Sequence, residues 1–60
     1  MFTLTIKTDN AAFHDENGES DGQEIARLLL GVSHEVAAGF TDGPIIDLNG
    51  NRVGHFNLED

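Results

Sequence analysis

The chain contains no cysteine, and only Lys7, Arg27 and Arg52 are positively charged against eleven carboxylates, giving a net charge of −8 over 60 residues. Without cysteine, neither a disulfide framework nor a thiolate metal site can staple the fold, and the redox compartment cannot be read from cysteine usage. With so few cations, binding to a phosphate backbone is opposed by long-range repulsion, so direct nucleic-acid binding is not expected and a charged partner should be basic. Long apolar runs are also missing: none is longer than the three leucines at 28–30. The opening MFTLTIKTDN has no basic segment followed by an apolar stretch. The expectation is therefore no signal peptide, no membrane span, no membrane partner and a cytoplasmic location.

What is present suits one small domain, near the size at which burial only just supports a unique structure. About eleven apolar side chains can be buried, at roughly 1.5–3 kcal/mol each, against an ordering cost of about 1.5 kcal/mol per residue. That balance points to a homo-oligomer.

FTLTIKT alternates strictly, with Phe2, Leu4 and Ile6 on one side and Thr3, Thr5 and Lys7 on the other, the pattern of a half-buried strand. Residues 9–20 are aperiodic and polar and form an acidic connection. Phe13 is its one large apolar residue and is expected to tuck under the domain edge, and Ala11 and Ala12 allow a helical turn. A helix follows at 21–38, capped by Ser20 or Asp21 with Gln23 or Glu24 completing a capping box. Ile25, Leu28, Leu29, Val32 and Val36 form its core stripe, and Gly39 supplies a stop. Gly31 inside the helix suggests a close backbone contact. Two short strands then flank DLNG, which suits a type I turn with Gly50 left-handed, although Asn49-Gly50 could form a two-residue loop and reverse the inward set. The first choice is preferred, with Ile46, Phe56 and Leu58 inward and Ile45 and Val53 on the opposite sheet face. The fold class is α+β: a single β-α-β-β domain over residues 1–60, with a three-stranded sheet and one helix on one face. With the final strand central, the sheet order is first, third, second.

Chemically, two stretches begin like calcium loops, at Asp15 and Asp47. Both lack the glycine needed at the sixth position, where Ser20 and Arg52 stand, and the twelfth-position ligand, where Ala26 and Leu58 stand. His14, His34 and His55 have no ligand spacing and read as surface histidines. No metal and no cofactor is expected. No nucleophile is paired with a base at a recognisable spacing, so no catalytic residue is assigned and the chain reads as a non-enzyme.

Asp15, Glu16, Glu19, Asp21 and Glu24 place five carboxylates within ten positions. A solvated connection accounts for the first three, and helix capping and the positive helix end account for Asp21 and Glu24. The sharper reading makes Asp15, Glu16 and Glu19 a charge display for a basic protein. On the helix, Ala26, Leu30, Ser33 and Ala37 recur at i, i+4, i+7 and i+11, a second stripe of mostly small residues that would permit close approach of two copies with Leu30 near the dimer axis. The plainer alternative is a lone exposed leucine among tolerant positions.

Three segments, Thr8 to Phe13 (TDNAAF), Glu24 to Ala26 (EIA) and Asp47 to Gly54 (DLNGNRVG), together resemble a group of short proteins of bacteriophages, prophages and other bacterial mobile elements. The group shares a TDNAAF junction, a helix opening with EIA and a DxNGNxVG hairpin, and has no established activity. The resemblance implies a phage-type context in a bacterial host and nothing catalytic, and its motifs read as architecture. The leading expectation is an accessory protein that binds a host protein, for example to inhibit a defence or nucleic-acid-handling factor. The alternative is a self-associating module of phage replication or assembly with no host target.

Overall fold

The computed structural model describes residues 1–18 and 22–60. Ser20 and Asp21, the expected helix caps, lie outside the described residues. The elements are β1 (Phe2–Ile6), a 3-10 turn (Ala11–Phe13), α1 (Gly22–Ala37), β2 (Asp42–Ile46) and β3 (Arg52–Leu58). β3 is central and antiparallel to both neighbours, so the sheet order is β1-β3-β2. The domain is α+β, with one helix and one three-stranded sheet.

α1 ends where the sequence places its stop. Gly39 has φ +101°, and its N–H donates to Val36 (3.1 Å) while the Phe40 N–H donates to Glu35 (3.0 Å). This is a Schellman closure, which needs a left-handed residue at that position. Gly31 makes no close backbone approach: a Cβ there would meet nothing within 4 Å. The hairpin is the type I form. The Gly50 N–H donates to the Asp47 carbonyl (3.0 Å), the Asp47 N–H to the Asn51 carbonyl (2.8 Å), and Gly50 has φ +85°.

The core consists of Phe13, Leu28, Val32, Ile45, Val53 and Phe56, flanked by Leu4, Ile6, Ala12, Ile25 and Val36. The sheet departs from the sequence expectation at two places. Ile45 is buried and Ile46 is exposed, the reverse of expectation, because Asp47 turns inward and strand alternation then takes Ile45 with it. Val53 is also inward. Ile45 pairs with Gly54 and Ile46 with Arg52, so Val53 is the extra residue of a β-bulge and joins the core despite the inward parity of Phe56. Phe13 is only 1% exposed and is, with Phe56, one of the two most completely buried large side chains. It belongs to the centre of the core and not to its edge.

Two glycines permit close packing, Gly54 against the β1 backbone and Gly43 beneath the Phe56 ring. A Cβ on Gly54 would stand 1.9 Å from the Thr5 carbonyl oxygen, and one on Gly43 would stand 3.1 Å from the Phe56 ring. α1 packs on the β2 side of the sheet. Leu29, expected in the core, is therefore 45% exposed, and Phe2 and Leu58 are left half-covered on the β1 side.

Candidate functional surface

Among the described residues two carboxylates are buried, Glu24 and Asp47, and both serve the scaffold. Asp47 accepts the Asn51 and Asn49 backbone N–H groups (2.8 and 2.9 Å), the Asn10 side-chain amide (2.7 Å) and, at 3.4 Å, that of Asn51. Asn10 in turn accepts the Ala12 N–H (2.8 Å), starting the 3-10 turn that delivers Phe13 to the core. Glu24 accepts Arg27 bidentately (2.7 and 2.8 Å) and the Leu48 N–H (2.8 Å). It ties α1 to the hairpin in addition to standing in the first turn of the helix. Burial pushes the Asp47 carboxyl up, but the Asn51, Asn10 and Asn49 donors outweigh it and hold it below its ordinary range. The Arg27 guanidinium, and then the Leu48 amide, hold Glu24 low against desolvation. The three segments TDNAAF, EIA and DLNGNRVG thus meet in one hydrogen-bonded junction. The type I turn at Asp47 was legible, but the long-range partner Asn10 had no local signal.

Among the described residues no group of three or more His, Asp or Glu side chains could hold a metal ion, and the Asp47 carboxylate is directed at N–H donors. His34 and His55 are exposed, with His55 Nδ1 3.1 Å from Arg52 Nη2. His14 is partly buried, and its Nδ1 has no hydrogen-bond partner among the described residues. Asp15 and Glu16 are exposed in a tight turn, where Asp15 accepts the Asn17 N–H (2.9 Å) and its carbonyl accepts the Gly18 N–H (2.9 Å). Glu19 lies outside the described residues.

The helix stripe is exposed throughout: Leu30 is 60% exposed, and Ala26, Ser33 and Ala37 are open to solvent. The structure divides it. Ser33, whose hydroxyl donates to the Leu30 carbonyl (2.9 Å), and Ala37 line an open groove of about 450 Å³ together with Phe2, Leu4, Leu29, Val32 and Val36. Ala26 and Leu30 lie outside it. The groove runs between α1 and β1 and, among the described residues, has no charged side chain in its walls.

β1 is an edge strand, and among the described residues nothing pairs with its outer side. The Lys7 N–H donates to Val53 (2.7 Å) and the Glu59 N–H to Met1 (2.9 Å). With the unbroken register between them, Thr3 and Thr5 bond β3, while Phe2, Leu4 and Ile6 direct their N–H and C=O groups outward. An unpaired strand edge beside an apolar groove offers main-chain hydrogen bonding and side-chain burial to the same ligand. Strand alternation signalled β1, but its place at the edge follows only from the sheet order. No helix among the described residues is long and apolar enough to cross a membrane. No protein-family model, curated protein or solved structure matches the chain.

Proposed function

We propose that this chain is a small acidic, non-enzymatic accessory protein of phage type that acts by protein–protein binding in the cytoplasm of a bacterial host. The observation that carries this reading is the uncharged groove between α1 and β1, an exposed apolar surface on a chain that is otherwise strongly acidic. Such a surface rimmed by polar residues is characteristic of a recognition site. The buried carboxylates Glu24 and Asp47 support it indirectly, since their lone pairs are committed to scaffold donors. Asp15, Glu16 and Glu19 would steer a basic host protein toward the chain without supplying most of the affinity.

Capture from host lysate at low and high ionic strength, with unmodified protein and Ser33→Glu, tests this. A partner retained at high salt and lost with Ser33→Glu places binding at the groove. Loss with salt alone assigns it to the acidic connection. Recovery of no specific partner under either condition would contradict host binding and favour the second reading, a self-associating module, which the open edge of β1 supports independently.

A further inference from the structure

We infer that β1 pairs antiparallel with β1 of a second copy about a two-fold axis through Leu4, joining two three-stranded sheets into one of six strands. This goes beyond the host-binding reading and stands whether or not a host partner exists.

The strand is self-complementary in three respects. With the axis at Leu4, Phe2 stands opposite Ile6 of the partner copy and Leu4 opposite its own equivalent. These are the residues whose N–H and C=O groups point outward, so every free backbone group of β1 gains a partner in an isologous contact. The apolar side chains of both copies then lie on the helix-bearing face and extend the two grooves into one. On the other face, Thr3 meets Thr5 of the partner copy, a favourable cross-strand pair.

Charge agrees with this arrangement. Two chains of net charge −8 repel, yet β1 itself contains no carboxylate and none of the described carboxylates lines the groove. In the same register Lys7 stands opposite Met1 of the partner copy. Met1 lies beside its own Glu59, which brings Lys7 within two strand spacings, roughly 10 Å of backbone, of an acidic chain end. The sheet's other edge is protected by contrast. β2 carries Asp42, Pro44, which has no N–H, and the Ile45/Ile46 irregularity. About a dozen residues from each copy would be covered, roughly half the complement of a standard interface. A micromolar rather than nanomolar dimer follows.

The test uses the full chain made by chemical synthesis with an N-methyl group on Leu4, which removes one outward N–H and leaves the side chain in place. Sedimentation at about 100 μM, above micromolar dissociation constants, should show a dimer for the unmodified protein and at least tenfold weaker association for the N-methyl form. Leu30→Glu should associate within about threefold of the unmodified protein, because Leu30 lies outside the groove. If the N-methyl form does not fold, an isotope-mixed sample of unmodified protein decides instead, with an intermolecular NOE expected between the Hα atoms of Thr3 and Thr5 of the partner copy. A monomeric unmodified protein overturns the inference, as does a dimer sensitive to Leu30→Glu but not to N-methylation, or a dimer lacking that NOE.

Discussion

Phe13→Ala should come close to unfolding this protein. The side chain is 1% exposed and packs with Leu28, Val32, Ile45, Val53 and Phe56, so its removal leaves a cavity that a thin core cannot fill by collapse. Buried Phe→Ala changes cost about 3–5 kcal/mol. A 60-residue domain has a total stability of roughly 3–9 kcal/mol at typical values per residue. The substitution therefore removes between a third and all of it. A side chain that merely pinned a loop against the surface would cost about 1 kcal/mol or less. The chain has neither Trp nor Tyr, so the assay is urea denaturation followed by far-UV circular dichroism, at fixed protein concentration because association would add to apparent stability. A loss below about 1 kcal/mol with an unchanged m-value would refute the placement of Phe13 at the centre of the core.

Gly54→Ala should destabilise as severely, since its Cβ would overlap the Thr5 carbonyl oxygen at 1.9 Å and separate β1 from β3; a normal melting curve would contradict the register. Glu24 and Asp47 are both held below their ordinary range in the folded state. Their stabilisation is therefore present above the unfolded-state values near pH 4 and is lost as pH falls through the lower folded-state values. Thermal melts from pH 7 down to pH 2 should show that loss, and Asp47→Asn should lower the melting temperature at pH 7 while flattening the acid decline. An equal acid decline in that variant would remove Asp47 from the account. Replacing Glu16 with Gln should shift the melting temperature by only a few degrees, because Glu16 is exposed and such charges contribute at most about 1 kcal/mol; collapse of the fold would show that the acidic connection is structural.

The order of elements was legible because each carries a local signal: alternation in β1, a 3.6-residue period ending at Gly39 in α1, and Asp47 with Gly50 at the hairpin turn. Inward parity in the hairpin was less so. The choice between Ile45 and Ile46 depends on where Asp47 directs its carboxylate, which the local Asn49 and Asn51 N–H groups fix together with Asn10, 37 residues away. The bulge at Val53 likewise arises from pairing with β2 and leaves no mark in its own segment. The exposed helix stripe was visible in the sequence, but its division was not. Only the displacement of α1 toward β2 makes Ser33 and Ala37 part of a groove and excludes Ala26 and Leu30.

Pairing of the free β1 edge with a second copy is tested most directly by amide hydrogen exchange, residue by residue, from about 10 μM to about 1 mM, a range spanning micromolar dissociation constants. Thr3 and Thr5 bond β3 and should be protected at every concentration. The Leu4 and Ile6 amides point away from the sheet and should exchange quickly when dilute and slowly when concentrated, as a second copy covers them. Fast exchange at Leu4 and Ile6 across the whole range, with Thr3 and Thr5 protected, would contradict the account.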